Sequence, residues 1–135
     1  MPSIFSRIIA GEIPGAFVFQ DPLWVAFLDH APVAPGHLLL VPRAEAQYLA
    51  DLPADTKATL GDYLGRSIAA IKRATGATAV NVLVNDGPEA GQLVPHAHLH
   101  LIPRTADDDL QFHLPGKAKG IDLAAVAARV RAQWR

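Results

Sequence analysis

Cysteine is missing from this chain of 135 residues. Its absence excludes disulfides, thiolate nucleophiles and every zinc site that needs sulfur ligands, so a bound metal would have to be held by His, Asp or Glu. An excess of one charge is lacking too, because 12 basic and 13 acidic residues leave a formal net charge of −1. Such a balance gives no general attraction to a polyanion or an anionic surface, so neither nucleic acid nor a membrane is the expected partner.

Long apolar runs are lacking near the N-terminus, where Arg7 and Glu12 bracket Ile8 and Ile9. The segment is therefore predicted to be neither a signal peptide nor a membrane span, and the expected location is the cytoplasm. Apolar residues nevertheless make up 50% of the chain, and this length is typical of one domain with a single hydrophobic core. We therefore expect one domain over residues 1–135.

Apolar periodicity and turn residues predict an α+β fold with an antiparallel sheet, because most of the expected strands are joined by short connections. The strand at 37–41 is apolar throughout and is expected to be central and buried. The expected elements are a short helix at 5–9, strands at 16–20, 23–28 and 37–41, a long helix at 53–75, strands at 79–84 and 95–102, and a terminal helix at 123–134.

Three of the six histidines fall within one of these predicted strands, where they alternate with apolar residues. On a strand, successive side chains point to opposite faces, so the rings of His96, His98 and His100 would share one face. The loop that precedes them, 85–92, is longer than a hairpin requires and contains glycine, which favours a functional use over a plain surface loop.

Three interpretations of the histidine row remain open at this point. The rings could be solvated on a half-exposed strand, although histidine has little preference for strands. They could bind a metal with His37, Asp29 or Glu45 as a further ligand, but residues four apart on a strand are separated by about 13 Å, too far for one ion to reach all three rings easily.

The third interpretation is catalysis at phosphorus. Imidazole is largely unprotonated at neutral pH, so the middle ring, His98, could act as a nucleophile while a neighbouring ring donates a hydrogen bond to phosphate oxygens. The Gly91-Gln92 corner could add backbone N–H groups and a side-chain amide around the transferred group.

Around these histidines the chain resembles the histidine-triad (HIT) family, whose motif alternates three histidines with apolar residues, as 96–102 does. The resemblance extends over 4–9 with 12–14, 26–29, 34–37 and 85–104, and the tail from Thr105 lies outside it. It implies a single HIT domain over 1–135, with a core at 1–104 and a C-terminal tail at 105–135 that carries the terminal helix.

The resemblance also implies an architecture and an activity. The fold would be a five-stranded antiparallel sheet with one long helix and short flanking helices, and two chains would form a homodimer with a ten-stranded sheet. The activity would be hydrolysis of the bond between a nucleoside monophosphate and its leaving group, through a nucleotidyl-histidine intermediate on His98. A small nucleotide is the implied partner, and neither a cofactor nor a metal is expected.

Site roles follow from the same resemblance, position by position. His96 and His37 would orient His98 and move protons, and His100 would bind the phosphate. The other phosphate positions would be Asn85, Gly91, Gln92 and Leu93. The nucleoside would contact Asp29 through its ribose hydroxyls, with His30 at the rim of the site. The residues around the base would be Phe5, Ile8, Phe27 and Leu39. Without the resemblance, those four apolar residues would be interpreted as core.

The residues give mixed signals about the branch of the family. His100 resembles the hydrolases rather than the nucleotidyl transferases, which have glutamine there. The segment 4–14 and Asp29 resemble the Hint branch, which cleaves purine nucleoside phosphoramidates such as AMP or GMP conjugates, and this is the favoured function. Segment 87–92 also occurs in the Fhit branch, so a dinucleoside polyphosphate hydrolase is an alternative.

Some positions depart from the family pattern. Leu93 stands where Ser or Thr usually donates a hydrogen bond, which suggests slow turnover or a nucleotide-binding module with weak catalysis. Glu45 stands where many relatives have histidine, and Ser3 and Ser6 stand where zinc-binding bacterial members have cysteine. A structural zinc is therefore not expected.

Overall fold

A computed structural model describes residues 1–112 and 114–135 of the chain. Within them lie three α-helices, five strands and two short 3-10 turns. In chain order the elements are α1 (Ile4–Ile9), β1 (Phe17–Gln20), β2 (Trp24–Leu28), β3 (Leu38–Pro42), a 3-10 turn (Leu49–Asp51), α2 (Ala54–Thr75), β4 (Ala79–Leu83), a second 3-10 turn (Pro88–Ala90), β5 (Leu99–Arg104) and α3 (Leu123–Gln133).

The five strands form one antiparallel sheet in the order β1-β2-β3-β5-β4. The predicted hairpin of β1 and β2 is present, and its turn is held by Asp21, whose Oδ1 accepts the backbone N–H groups of Leu23 and Trp24. β3 lies in the middle of the sheet and is buried along its whole length, as predicted. The predicted α+β fold with five antiparallel strands, one long helix and short helices is therefore confirmed.

Both faces of the central strands are covered. Alternate residues of β2 and β3 point toward α2 and form the larger core, which includes Trp24, Ala26, Leu38 and Leu40. The residues between them pack with α1 on the opposite face, where Val25, Phe27, Leu39 and Val41 surround Phe5. This second face also carries the histidines, since His100 of β5 pairs with Leu39 of β3.

The long helix α2 agrees with its sequence pattern. Leu60, Leu64 and Ile68 pack against the larger core, and Ile71 is buried in it. The helix ends at Gly76, whose φ of 75° places it in the left-handed region that glycine adopts easily.

The predicted strand at 95–102 is wrong at its start, because β5 begins only at Leu99. Leu83, the last residue of β4, already pairs with His100. Earlier residues bond elsewhere: the His96 N–H donates to the Val94 carbonyl at 2.8 Å, and the Ala97 N–H donates to the Ala46 carbonyl at 2.7 Å. The segment 96–98, which carries two of the three histidines, is therefore held by loops rather than by the sheet.

The predicted terminal helix is present as α3, and Asp122 caps it by accepting the Ala125 N–H. Its apolar residues Leu123 and Val130 are exposed, as is Trp134, which follows its last residue. Among the helices of the described residues, none combines the length and the apolar character that a membrane crossing requires. The homodimer stays a prediction.

Replacement of Leu40 by alanine tests the packing of the central strand. Leu40 has no exposed surface and lies between the sheet and α2. Loss of its side chain leaves a cavity, so Leu40→Ala is expected to lower the free energy of unfolding by about 2–5 kcal/mol in urea denaturation. The control Leu114→Ala removes a side chain that is 89% exposed and should leave stability nearly unchanged. Equal midpoints for the two variants would contradict this view of the core.

Candidate active site

A cavity of about 950 Å³ opens beside the second face of the sheet. That volume lies within the usual range for sites that bind a small molecule or cofactor. The residues predicted for the nucleoside all line it: Phe5, Ile8, Phe27, Asp29, His30 and Leu39. Of the residues predicted for phosphate and catalysis, it is lined by Asn85, Gly91, Leu93, His98 and His100. The structure thus brings the two predicted groups together in one cavity.

Aromatic packing joins the apolar part of the cavity to the histidines. The ring of Phe5 lies edge-on to Phe27, with centroids 5.5 Å apart, and edge-on to His98, at 4.8 Å. His98 in turn lies 4.9 Å from His100. The apolar part of the cavity is therefore in direct contact with the ring of His98, and through it with His100.

The ring of His98 is held in one tautomer. Its Nδ1 lies 2.7 Å from the backbone carbonyl of His96, and a carbonyl only accepts, so Nδ1 carries the proton. Nε2 is then the unprotonated nitrogen. Burial lowers the pKa of His98 below its ordinary value, which keeps Nε2 free of a proton at neutral pH.

His100 is held by a second chain of hydrogen bonds. The Val33 N–H donates to Nδ1 of His37 at 3.0 Å, so neutral His37 carries its proton on Nε2. That Nε2 lies 3.0 Å from Nδ1 of His100 and donates to it, which leaves the His100 proton on its own Nε2. His37 therefore contacts His100 rather than His98, and His100 becomes a donor.

Burial opposes protonation of both rings. It lowers the pKa of His37, although the carboxylate of Asp29, 3.6 Å from Nε2, acts in the opposite direction. The pKa of His100 falls to about 4, chiefly through burial and then through His98 and His37 nearby. The pair is therefore neutral at physiological pH.

The ring of His96 is fully buried and lies outside the cavity wall. Its Nε2–H donates to the Pro42 carbonyl at 2.8 Å, and its Nδ1 accepts from the Ser3 hydroxyl at 2.7 Å. Burial lowers its pKa. His96 therefore acts on His98 through its backbone carbonyl, while its ring anchors the segment.

The loop after β4 differs from expectation at Gln92, whose side chain was predicted to face the phosphate. Gln92 is buried: its Oε1 accepts the Gly87 N–H, and its Nε2 donates to the carbonyls of Gln47 and Val94. Its backbone N–H donates to the Gly87 carbonyl as well. All its donors are thus used inside the protein, and Gln92 shapes the loop.

The other loop residues remain at the cavity. Asn85 lines it while one of its amide hydrogens is bonded to the Gly91 carbonyl at 3.3 Å, and Gly91 adopts a φ of 94° that brings its backbone close to Asn85. Leu93 is 93% exposed at the mouth. His30 lies at the rim with a side chain 95% exposed.

Asp29, His37 and His100 are candidates for a metal, because one ligand atom from each lies within 4.8 Å of the others. The hydrogen bonds argue against it. A metal on Nε2 of His37 would require the proton on Nδ1, where it would oppose the Val33 N–H. A zinc site is also not favoured at Ser3, Ser6 and Glu45. The two serines offer neutral hydroxyls where zinc sites use thiolates, and a hydroxyl is a poor zinc ligand.

Sequence reasoning missed part of the cavity wall and most of its support. Ile4, Ile13, Pro14 and Val94 also line the cavity, and only their proximity to predicted residues could have indicated this. The segment 92–98 is held by hydrogen bonds to the backbone carbonyls of Pro42, Ala46 and Gln47. Any residue has such a carbonyl, so the sequence does not indicate which ones will accept a bond.

Comparison with known proteins gives a family match over most of the chain. The HIT domain family model matches residues 10–107. The protein named adenylylsulfatase HINT3 of Arabidopsis thaliana is 36% identical over 107 residues, which are 79% of this chain and 54% of that protein. The chain thus spans about half the length of that relative.

Solved structures match the fold more completely. A HIT family protein from Bacillus subtilis aligns with a TM-score of 0.89 and 29% identity, covering 100% of this chain and 99% of its own. A hypothetical histidine triad nucleotide-binding protein from Sulfolobus tokodaii aligns with a TM-score of 0.75 and 33% identity, covering 84% of this chain and 76% of its own.

The buried neutral histidines predict a loss of stability in mild acid. In the unfolded chain His100 would have its ordinary pKa near 6.5, whereas in the folded protein its pKa is about 4. Between these values the unfolded state binds the additional proton, so stability is complete above about pH 6.5 and falls as the pH decreases toward 4. The shifts of His37, His96 and His98 act in the same direction.

Urea midpoints at about pH 7 and about pH 5 measure this loss. His100→Gln should reduce the difference between the two midpoints. The control His30→Gln removes an imidazole that is already in solvent and should preserve the difference. Midpoints that do not change with pH in the unaltered protein would contradict the interpretation.

Proposed function

Because the chain belongs to the HIT domain family, we propose that it hydrolyses conjugates of AMP or GMP, such as purine nucleoside phosphoramidates, through a covalent nucleotidyl group on His98. The observation that carries this proposal is the hydrogen bond from Nδ1 of His98 to the His96 carbonyl. It leaves an unprotonated Nε2 on a residue of the cavity wall, which is the arrangement a nucleophile requires.

Substrate binding uses the two parts of the cavity. The base enters between Phe5, Ile8, Phe27 and Leu39, and the carboxylate of Asp29 accepts from the ribose hydroxyls. The phosphate then meets two donors, the second amide hydrogen of Asn85 and Nε2–H of His100. Donors fixed before the reaction stabilise the charge that develops on phosphate oxygens in the transition state.

In the first half-reaction, the lone pair of His98 Nε2 attacks phosphorus as the bond to the leaving group breaks. A P–N bond forms, and the leaving group departs with the bonding electrons and takes up a proton from solvent at the open mouth of the cavity. In the second half-reaction a water oxygen attacks phosphorus, the P–N bond breaks with its electrons returning to Nε2 of His98, and the water releases the matching proton to solvent. The products are the free leaving group and the nucleoside monophosphate, and His98 returns to its starting state.

The His37–His100 pair orients the donor to the phosphate. Nε2–H of His37 donates to Nδ1 of His100 at 3.0 Å, so the proton of His100 stays on its own Nε2. His37 is itself oriented by the Val33 N–H. The roles of the rings thus divide: His98 attacks, His100 donates a hydrogen bond to the phosphate, and His37 orients His100.

The leaving group is the least defined part of the substrate. The mouth of the cavity is open beside Leu93 and His30, so amines, sulfate and a second nucleotide all have space to enter. The Arabidopsis relative is named as an adenylylsulfatase, and dinucleoside polyphosphates are the alternative class. Side-by-side assays of AMP and GMP joined to an amine, sulfate, fluoride or second nucleotide would identify the preferred one.

Replacement of His98 by alanine tests the covalent route. His98→Ala is expected to lower turnover of an adenosine phosphoramidate by about 10³-fold or more, because the attacking atom is lost. AMP should still bind, since the apolar residues proposed to hold the base are unchanged. A rapid quench followed by mass spectrometry should detect AMP attached to the unaltered protein and to no site in the variant. Equal turnover by both proteins would remove the proposal.

Leu93 supports a second candidate function, nucleotide binding with weak catalysis. Its side chain occupies the cavity mouth and has no hydrogen-bond donor for the phosphate or the leaving group. Leu93→Ser would restore a hydroxyl, and a donor that acts in the transition state contributes up to about 100-fold in turnover. The expected result is a higher kcat with little change in AMP affinity. An unchanged or lower kcat would show that Leu93 does not limit catalysis.

A further inference from the structure

A cluster of four polar side chains joins the start of α1 to the segment 96–98, which carries His98. Its members are Ser3, Ser6, Glu45 and His96. They come from three distant parts of the chain and lie outside the cavity wall described above. We propose that Glu45, Ser3 and Ser6 are positioning residues for His98: they fix the ring of His96, whose carbonyl fixes the tautomer of His98. This inference rests on the proposed role of His98 as the nucleophile.

Ser3 is the member in direct contact with His96. Because Nε2–H of His96 is used by the Pro42 carbonyl, Nδ1 is an acceptor, and the Ser3 hydroxyl donates to it at 2.7 Å. The same oxygen accepts the Ser6 N–H at 3.0 Å and so caps α1. One hydroxyl therefore fixes both the first turn of the helix and the buried imidazole.

Glu45 holds the serines in place. Its Oε1 accepts the backbone N–H of Ser3 and, at 2.7 Å, the hydroxyl of Ser6. These two donors lower its pKa to about 2, so Glu45 is ionised at neutral pH. Hydrogen bonds to a carboxylate are stronger than those between neutral groups. The Glu45 side chain is still 39% exposed, so its loss would open no buried cavity.

The cluster reaches His98 by two contacts. The His96 carbonyl accepts the Nδ1 proton of His98, and Phe5, two residues after Ser3 in α1, lies against the His98 ring with centroids 4.8 Å apart. Without the Ser3 and Glu45 bonds, both the carbonyl and the aromatic contact lose their fixed position. His98 would then populate its other tautomer, in which Nε2 carries the proton and cannot attack.

Single replacements test the path from Glu45 to His98. Ser3→Ala and Glu45→Ala should each lower kcat for the preferred AMP conjugate by about 10- to 100-fold, with a smaller change in KM, because misplacement of a reacting group affects mainly the chemical step. Glu45→Gln retains an oxygen that can accept both donors and should keep most of the activity. The control Glu12→Ala removes an exposed carboxylate that pairs with Arg7 at the end of α1 and should behave like the unaltered protein.

A double replacement tests whether Ser3 and Glu45 affect kcat through the same contact with His96 or by independent effects. If Ser3 and Glu45 both act through His96, the kcat of Ser3→Ala/Glu45→Ala should resemble that of the more severe single variant. Effects that multiply would overturn the inference. So would single variants that retain the kcat of the unaltered protein.

The decisive measurement does not need turnover. Nitrogen-15 NMR of the imidazoles should show His98 as the Nδ1–H tautomer in the unaltered protein and in Glu12→Ala, and as a mixture in Ser3→Ala and Glu45→Ala. Should Ser3→Ala fail to fold, Glu45→Ala and Glu45→Gln still give the comparison. If no AMP conjugate is turned over but the tautomers change as expected, the proposed hydrolase function fails while the positioning role of Glu45 and the serines stands. An unchanged His98 tautomer in folded variants would overturn that positioning role.

Discussion

The hydrogen bond between Nδ1 of His98 and the backbone carbonyl of His96 is the interaction on which the proposed chemistry of this protein depends. A free imidazole exchanges between two neutral tautomers, and only one of them presents a lone pair at Nε2. A carbonyl acceptor selects that tautomer without any charged group, so the ring remains both neutral and nucleophilic. Burial supports the selection because it lowers the pKa of His98.

A similar principle orders the other rings. A backbone donor at Val33 defines His37, and His37 then defines His100 as a donor to the cavity. A backbone acceptor at Pro42 defines His96. The rings of His37, His96 and His98 are thus each fixed by a main-chain group, whose position depends on the fold and not on the side chain of its residue, and His100 is fixed through His37. The site combines a free lone pair on His98 with a donating N–H on His100, because His98 bonds to a backbone carbonyl while His37, which orients His100, accepts from a backbone N–H.

The elements of the fold could be predicted from the sequence because their patterns are local. The spacing of Leu60, Leu64 and Ile68 with a terminal Gly76 predicts α2, and the apolar run at 37–41 predicts a central strand. The approach to β5 could not be predicted, since 95–102 has the composition of a strand. Its first residues leave the sheet because β4 ends opposite His100, and the end of a partner strand is a long-range property.

The site shows the same division. The residues that the resemblance to the HIT family assigned to the nucleoside all line the cavity, as do most of those it assigned to phosphate and catalysis. It misplaced Gln92, whose donors are all used by the loop itself, and it described Glu45 and the serines only as departures from a pattern. What they do instead depends on contacts across 39 to 93 positions of sequence, which no short motif records.

Because 96–98 lies outside the sheet, this segment can detach locally without unfolding of the whole domain. These residues are held by Ser3, Pro42 and Ala46, while the ladder of β5 with β3 and β4 begins only beyond them. Local detachment of this segment would break those few bonds and leave all five strands paired. Amide exchange at Ala97 therefore reports the fraction of molecules in which the site is open, and exchange at Leu101 in the ladder reports unfolding of the domain.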